Sequence, residues 1–151
     1  MTPGPPPGAL TPSAAAQGVL LDTGPLVALY ARDDRHHGAV SRWLAGFKGQ
    51  LHSVEPVLTE AAYFLPARLR PVLADLVTRG TLRLHHPDKA GYARMAELLR
   101  KYADRDPDWA DIALVWLAET TGVHRIATLD VADFGVYRIK GRKRFELALR
   151  V

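Results

Sequence analysis

Carboxylates recur in this chain at places where an isolated charge has little reason to sit. Asp22 ends the apolar run "GVLLD", and Asp130 ends "IATLD". Each directly follows a predicted strand, and parallel strands finish at one common edge where both acids can meet. Glu60 lies inside "VLTEAAYFL", bordering the apolar stripe of Val57, Ala61, Phe64 and Leu65 at helical spacing. Asp108 and Asp111 share one face near the start of a predicted helix, and Leu114, Val115 and Ala118 continue that face. Each acid alone has a plain explanation. An Asp after a strand caps the next helix, a Glu can face outward, and acids in a first turn suit the helix dipole. Together they point further. Carboxylates converging on one strand edge repel and raise each other's pKa, and a hard divalent cation such as Mg²⁺ or Mn²⁺ relieves that repulsion. The chemistry needing such a cluster is metal-assisted phosphodiester hydrolysis.

The elements that must hold these acids alternate along the chain. "GVLLD", "QLHSV", "TLRLHH" and "HRIATLD" read as strands, with "VYRI" and "FELALRV" as further candidates. Between them lie helical segments. "GPLVALYA" carries Pro25 in its first turn, and "RDDRHHGAVSRWLAGF" presents Val40, Trp43, Leu44 and Phe47 on one face. "EPVLTEAAYFL" ends at Pro66, and "ARLRPVLADLVTRG" stops at Gly80. "DKAGYARMAELLRKYAD" is amphipathic through Tyr92, Met95, Leu98, Leu99 and Tyr102, and "PDWADIALVWLAETTG" closes at Gly122. The alternation predicts an α/β sandwich around a mostly parallel sheet. Residues 1–17, rich in Pro, Gly and Ala and without a charged side chain, read as a flexible tail before a domain over 18–151.

Composition narrows the chemistry. The 151 residues suffice for one domain with a core. They include no cysteine, which removes disulfides and thiolate metal sites and is compatible with a reducing cytoplasm. No apolar run approaches the roughly 20 residues of a membrane span. The net charge of +4 and a pI near 9.6 permit a polyanionic partner. In "YRIKGRKRFELALR", Arg138, Lys140, Arg142, Lys143, Arg144 and Arg150 face only Glu146, which reads either as a phosphate-binding cluster or as a solvated basic hairpin. The adjacent pairs His36–His37 and His85–His86 point apart on a regular element and do not make a zinc site. Trp109 is set apart from the other tryptophans by its place between two acids. There is no phosphate-binding glycine loop and no Ser–His–Asp arrangement.

"VLLDTGPLVALYARDDRHH", "VLTEAAYFL", "DWADIALVWLAE" and "IATLDVADFGVYR" in this order resemble the PIN-domain nucleases, and among them the VapC-like toxins of bacterial toxin–antitoxin pairs. The resemblance runs from about residue 18 to 139. It implies a PIN-like α/β/α sandwich and a Mg²⁺- or Mn²⁺-dependent endoribonuclease. The implied metal and catalytic acids are Asp22, Glu60, Asp111 and Asp130, with Asp108 and Asp133 as neighbouring acids that share or replace a role. Thr23 and Thr128 stand where the family has supporting hydroxyls. It further implies RNA as substrate, together with a cognate antitoxin, a homodimer and a cytoplasmic location; the basic cluster beyond the resemblance, with Arg142, Lys143 and Arg144, is then expected to contact RNA phosphates. Two alternatives stay open within the fold: an RNA-processing nuclease without an antitoxin, and a protein that binds RNA or a partner without cleaving. A haloacid-dehalogenase-like phosphatase also uses an Asp after its first strand, but it wants a second Asp where this chain has Gly24.

Overall fold

A computed structural model describes residues 8–151. The first half runs α1 (Pro12–Gln17), β1 (Gly18–Leu21), α2 (Thr23–Tyr30), α3 (His37–Gly46), β2 (Gln50–Val54), α4 (Glu55–Phe64) and α5 (Arg70–Thr78). The second half runs β3 (Leu82–His85), α6 (Lys89–Lys101), α7 (Trp109–Thr121), β4 (Arg125–Ala127), α8 (Val131–Val136), β5 (Arg138–Ile139), β6 (Lys143–Arg144) and β7 (Glu146–Leu147).

Five strands form one sheet in the order β3-β2-β1-β4-β7, with every pairing parallel. Leu20 at the centre of β1 stands between His52 and Ile126. All four β1 residues are buried, as an apolar strand covered on both faces requires. Around the sheet, α2 packs on α3 and α4, α5 lies along β3, and α7 contacts β2, α4 and α6. The α/β/α sandwich expected from the alternation of elements is the fold observed.

Helix α7 is the central one. Every residue from Ala110 to Ala118 is buried, so its apolar positions wrap the whole circumference rather than one stripe. Asp108 caps its start, and Gly122, at a left-handed φ of 81°, closes its end. The carboxyl ends of β1 and β4 and the start of α7 meet at one edge of the sheet.

Several local expectations are corrected. Of the segment read as a flexible tail, residues 1–7 lie outside the described residues. Residues 12–17 form a helix whose start is capped by the Thr11 hydroxyl and carries Pro12 in its first turn. Helix α3 starts at His37, not Arg32. Asp34 accepts the His36 N–H at 2.8 Å, and this Asp-turn competes with helix before it. Tyr92 lies 53% exposed off the α6 stripe, whose buried side is formed by Gly91, Met95 and Leu98. Helix α8 was not anticipated: six residues including Gly135 are too few for a periodic signal. The strand expected in "VYRI" shortens to β5 and leaves the main sheet. It pairs antiparallel with β6 through a turn in which Lys140 and Gly141 both take positive φ, 53° and 78°.

Candidate metal centre

Asp22 leaves the end of β1 and caps α2. Its Oδ1 accepts the Thr23 N–H at 2.8 Å, and its Oδ2 accepts the Thr128 hydroxyl at 2.7 Å. Its own N–H donates to Ala127 at 3.0 Å, continuing the β1–β4 pairing one step beyond the strand. That extra rung brings Thr128 alongside. Thr128 in turn accepts the Asp130 N–H at 2.9 Å, and Thr23 donates its hydroxyl to Glu60 Oε2 at 2.8 Å. The two threonines therefore link acids from β1, α4 and the β4 end.

Asp111 comes from the first turn of α7 and is only 6% exposed. Its Oδ2 accepts the Tyr137 hydroxyl at 3.2 Å. Asp108, at the cap, accepts the Ala110 N–H at 2.8 Å and stays exposed. Asp130 caps α8 by accepting the Asp133 N–H at 3.1 Å, while Asp133 pairs with Arg105 at 3.0 Å.

Asp22, Thr23, Glu60, Asp108, Asp111 and Asp130 line one shallow cavity of about 390 Å³. Asp133 does not line the cavity but lies beside it, and the acids are not equally close. Among the described residues, Asp111, Asp130 and Asp133 each offer one carboxylate oxygen within 4.8 Å of the others'. Asp22 and Glu60 line the same cavity outside that group. Asp133, named from the sequence as a neighbouring acid, thus stands closer to Asp111 and Asp130 than its secondary standing suggested. Arg142, Lys143 and Arg144 are exposed on the β5–β6 hairpin and do not line the cavity. Trp109 is 52% exposed and does not line it either.

Burial pushes the Asp111 carboxyl up to about 8, with the charges of Asp22 and Asp108 adding to it and the Tyr137 hydrogen bond opposing. Burial likewise raises Asp22 to about 6 against the lowering effect of its Thr128 and Thr23 bonds. Glu60 and Asp130 are raised, again chiefly by burial. Asp133 is lowered, chiefly by the Arg105 guanidinium. Raised acids packed together are what a hard cation would convert into ligands. Every donor facing the cavity is a carboxylate or hydroxyl oxygen, the set that suits Mg²⁺ or Mn²⁺ rather than a soft metal.

Tyr137, bonded to Asp111, and Arg105, paired with Asp133, are the contacts of the acids that sequence reading missed. Tyr137 is 1% exposed and stacks edge-on against Tyr102 and Phe134. Read as part of a strand, it gave no sign of facing an acid.

Fold and site together describe a parallel α/β sandwich carrying an all-oxygen acidic centre at the carboxyl edge of its sheet. The model of the PIN domain matches residues 19–138, and the chain belongs to the PIN domain family. No curated protein matches it in sequence. Among solved structures it is similar to Mycobacterium tuberculosis VapC20, a Sarcin-Ricin loop cleaving toxin, with a TM-score of 0.69. The match covers 76% of this chain and 91% of that one at 19% identity, a likeness of fold.

Proposed function

We propose that the protein is a Mg²⁺- or Mn²⁺-dependent endoribonuclease that hydrolyses RNA phosphodiester bonds, and that it is the toxin of a toxin–antitoxin pair. The observation that carries the nuclease reading is the meeting of Asp22, Glu60, Asp111 and Asp130 in one cavity, with Asp111 buried and raised to about 8. The toxin reading is supported by the fold likeness to VapC20. The antitoxin partner, a homodimer and a cytoplasmic location belong to the same proposal. No helix among the described residues is long and apolar enough to cross a membrane.

Asp22, Glu60, Asp111 and Asp130 are the residues that would hold the cation, with Asp133 beside them. A divalent ion bound there supplies a Lewis acid that lowers the pKa of water and offsets phosphate charge. The chain's own part is orientation. Thr128 and the Thr23 N–H fix both Asp22 oxygens, the Thr23 hydroxyl holds Glu60, and Tyr137 holds Asp111. Arg142, Lys143 and Arg144 lie exposed, where they can meet RNA phosphates with little base preference.

The test is cleavage of 5′-labelled RNA with Mg²⁺ and with chelator. Wild type cuts in Mg²⁺ and stops in chelator, and the Asp22→Asn and Asp130→Asn variants stay folded and inert. Full activity in excess chelator refutes the metal requirement. Co-expression with the product of the adjacent gene tests the pairing: a small protein that copurifies and abolishes cleavage supports the toxin role, and an unaffected nuclease argues for RNA processing.

A further inference from the structure

Among the described residues, one cation is ion-paired to an acid of the cluster formed by Asp111, Asp130 and Asp133: Arg105, whose Nη2 lies 3.0 Å from Asp133 Oδ1. We infer that Arg105 is a substrate-contacting residue of the proposed nuclease, donating hydrogen bonds to an RNA phosphate at the rim of the acidic cavity, and that Asp133 holds it there rather than serving as a cation ligand. This inference rests on the nuclease reading above.

Arg105 is far less engaged than an arginine that ties two helices together. Arg94, which ties α6 to α7, uses Nε and Nη2 on Glu119 and Nη1 on Glu97. The Arg105 guanidinium carries five N–H donors and makes one side-chain bond among the described residues. Its remaining donors are left for another acceptor. The pair is half exposed, 39% for Arg105 and 37% for Asp133, so a ligand can reach it. An ion pair that open adds little to stability, which does not explain its placement.

The Arg105 backbone is tied to a residue that packs on the side chain holding Asp111. Arg105 closes a short 3-10 turn, Ala103–Arg105, between α6 and α7, and its N–H donates to the Tyr102 carbonyl at 2.9 Å. Asp106 follows at a left-handed φ of 49°. The Tyr102 hydroxyl accepts the Arg138 N–H, and its ring packs edge-on against Tyr137, the donor to Asp111. Tyr102 therefore anchors the backbone of Arg105 and packs on the donor to the buried acid, while Asp133 holds the guanidinium itself. A cavity walled by carboxylates repels a phosphodiester. A planar fork on its rim draws the phosphate in and suits its oxygens better than an ammonium does.

The experiment compares wild type with Arg105→Ala, Arg105→Lys and Asp133→Asn. It measures steady-state cleavage of a labelled single-stranded RNA, Mn²⁺ affinity by calorimetry, and RNA affinity by anisotropy in an inert Asp22→Asn background. Arg105→Ala is expected to lose about 100-fold in kcat/KM, the scale of a lost transition-state donor, with Mn²⁺ affinity unchanged. Its RNA affinity should have a salt slope shallower by about 0.7. Arg105→Lys recovers part of the loss as a point charge, and Asp133→Asn loses less than Arg105→Ala and binds Mn²⁺ as wild type does. Arg105→Ala cleaving within about twofold of wild type overturns the assignment. So does an Asp133→Asn variant that loses Mn²⁺ binding, since Asp133 is then a ligand. If wild type cuts no RNA at all, the nuclease reading fails by itself. The anisotropy arm then decides Arg105, and an unchanged RNA affinity and slope reject it.

Discussion

Replacing Asp111 by Asn should stabilise the metal-free protein while abolishing its activity. Burial and neighbouring charge hold the Asp111 carboxyl near 8 in the folded state, against 3.8 for an ordinary Asp. The folded state therefore keeps a proton that the unfolded chain has released, and metal-free stability falls as pH rises between those values. At pH 7 the unfolded side chain has passed about three pKa units beyond its own midpoint, which amounts to roughly 4 kcal/mol at about 1.36 kcal/mol per unit. Asn removes that penalty and can still accept the Tyr137 hydroxyl, but its amide must find an acceptor, at a cost of about 1–2 kcal/mol. The net gain is about 2–3 kcal/mol, or roughly 5–10 °C in Tm for a domain of this size. Thermal unfolding followed by circular dichroism in chelator, from pH 4 to pH 8, measures it. The variant should melt slightly below wild type near pH 4, cross it at about pH 5 and lie increasingly above it as pH rises further. In Mg²⁺ the order should close or reverse, because only wild type gains ligand stabilisation, about 2.7 kcal/mol at a hundredfold excess over Kd. A variant less stable than wild type at pH 8 in chelator, or a gap that ignores pH, refutes the reasoning.

Tyr137→Phe removes the one hydroxyl bonded to Asp111. It should weaken Mn²⁺ binding by about tenfold with little change in far-ultraviolet dichroism, and unchanged affinity by calorimetry would deny Tyr137 a positioning role. Asp108→Asn should cost less than about 1 kcal/mol, because Asn also caps, and should leave measurable cleavage. An inert Asp108 variant beside an active Asp111 variant would reverse the two assignments. Neutralising Arg142, Lys143 and Arg144 together should flatten the salt dependence of RNA binding by up to about 2 in slope, near 0.7 per lost phosphate contact. An unchanged slope in filter binding across a salt series marks the hairpin as a solvated face.

What the sequence revealed of the site followed from chain geometry. Asp22 was legible because an acid that ends a wholly apolar strand sits at a sheet edge whatever the rest of the fold does. Asp111 was legible because a charge in line with Leu114, Val115 and Ala118 needs a reason, and α7 proves buried all round. The closeness of Asp133 to Asp111 and Asp130 was not legible, since it depends on α8, a helix of six residues containing glycine. Neither was Arg105, whose partner lies 28 residues further along, in that same short helix. Tyr92 failed for a different reason. At the first turn of α6 a residue at apolar spacing can still project past the end of the packing surface, and the close approach there is made by Gly91, where an added Cβ would fall 2.8 Å from Trp116 Nε1.

The cavity acids differ in how they are held, and the difference bears on how a cation would be gripped. Asp111 has Oδ2 tethered by Tyr137, Asp130 has Oδ1 tethered by the Asp133 N–H, and Glu60 has Oε2 tethered by Thr23. In each the second oxygen has no N–H or O–H donor among the described residues. One tether per carboxylate fixes the torsion of the side chain and leaves one lone-pair set for a metal, so little rotamer freedom remains to be lost on binding. Asp22 is the exception, with both oxygens occupied by Thr128 and the Thr23 N–H. A doubly tethered acid is the most rigid of the set and the least free to follow an ion that shifts. If the proposed cation binds there, Asp22 would be the fixed corner against which the other three adjust. Thr128→Val, which frees Asp22 Oδ2 and also takes away the acceptor of the Asp130 N–H, should lower metal affinity more than Thr23→Val, which leaves both Asp22 bonds intact because one of them comes from the Thr23 backbone. Calorimetric titration of the two variants with Mn²⁺ ranks them, and a larger loss from Thr23→Val would place the fixed corner at Glu60 instead.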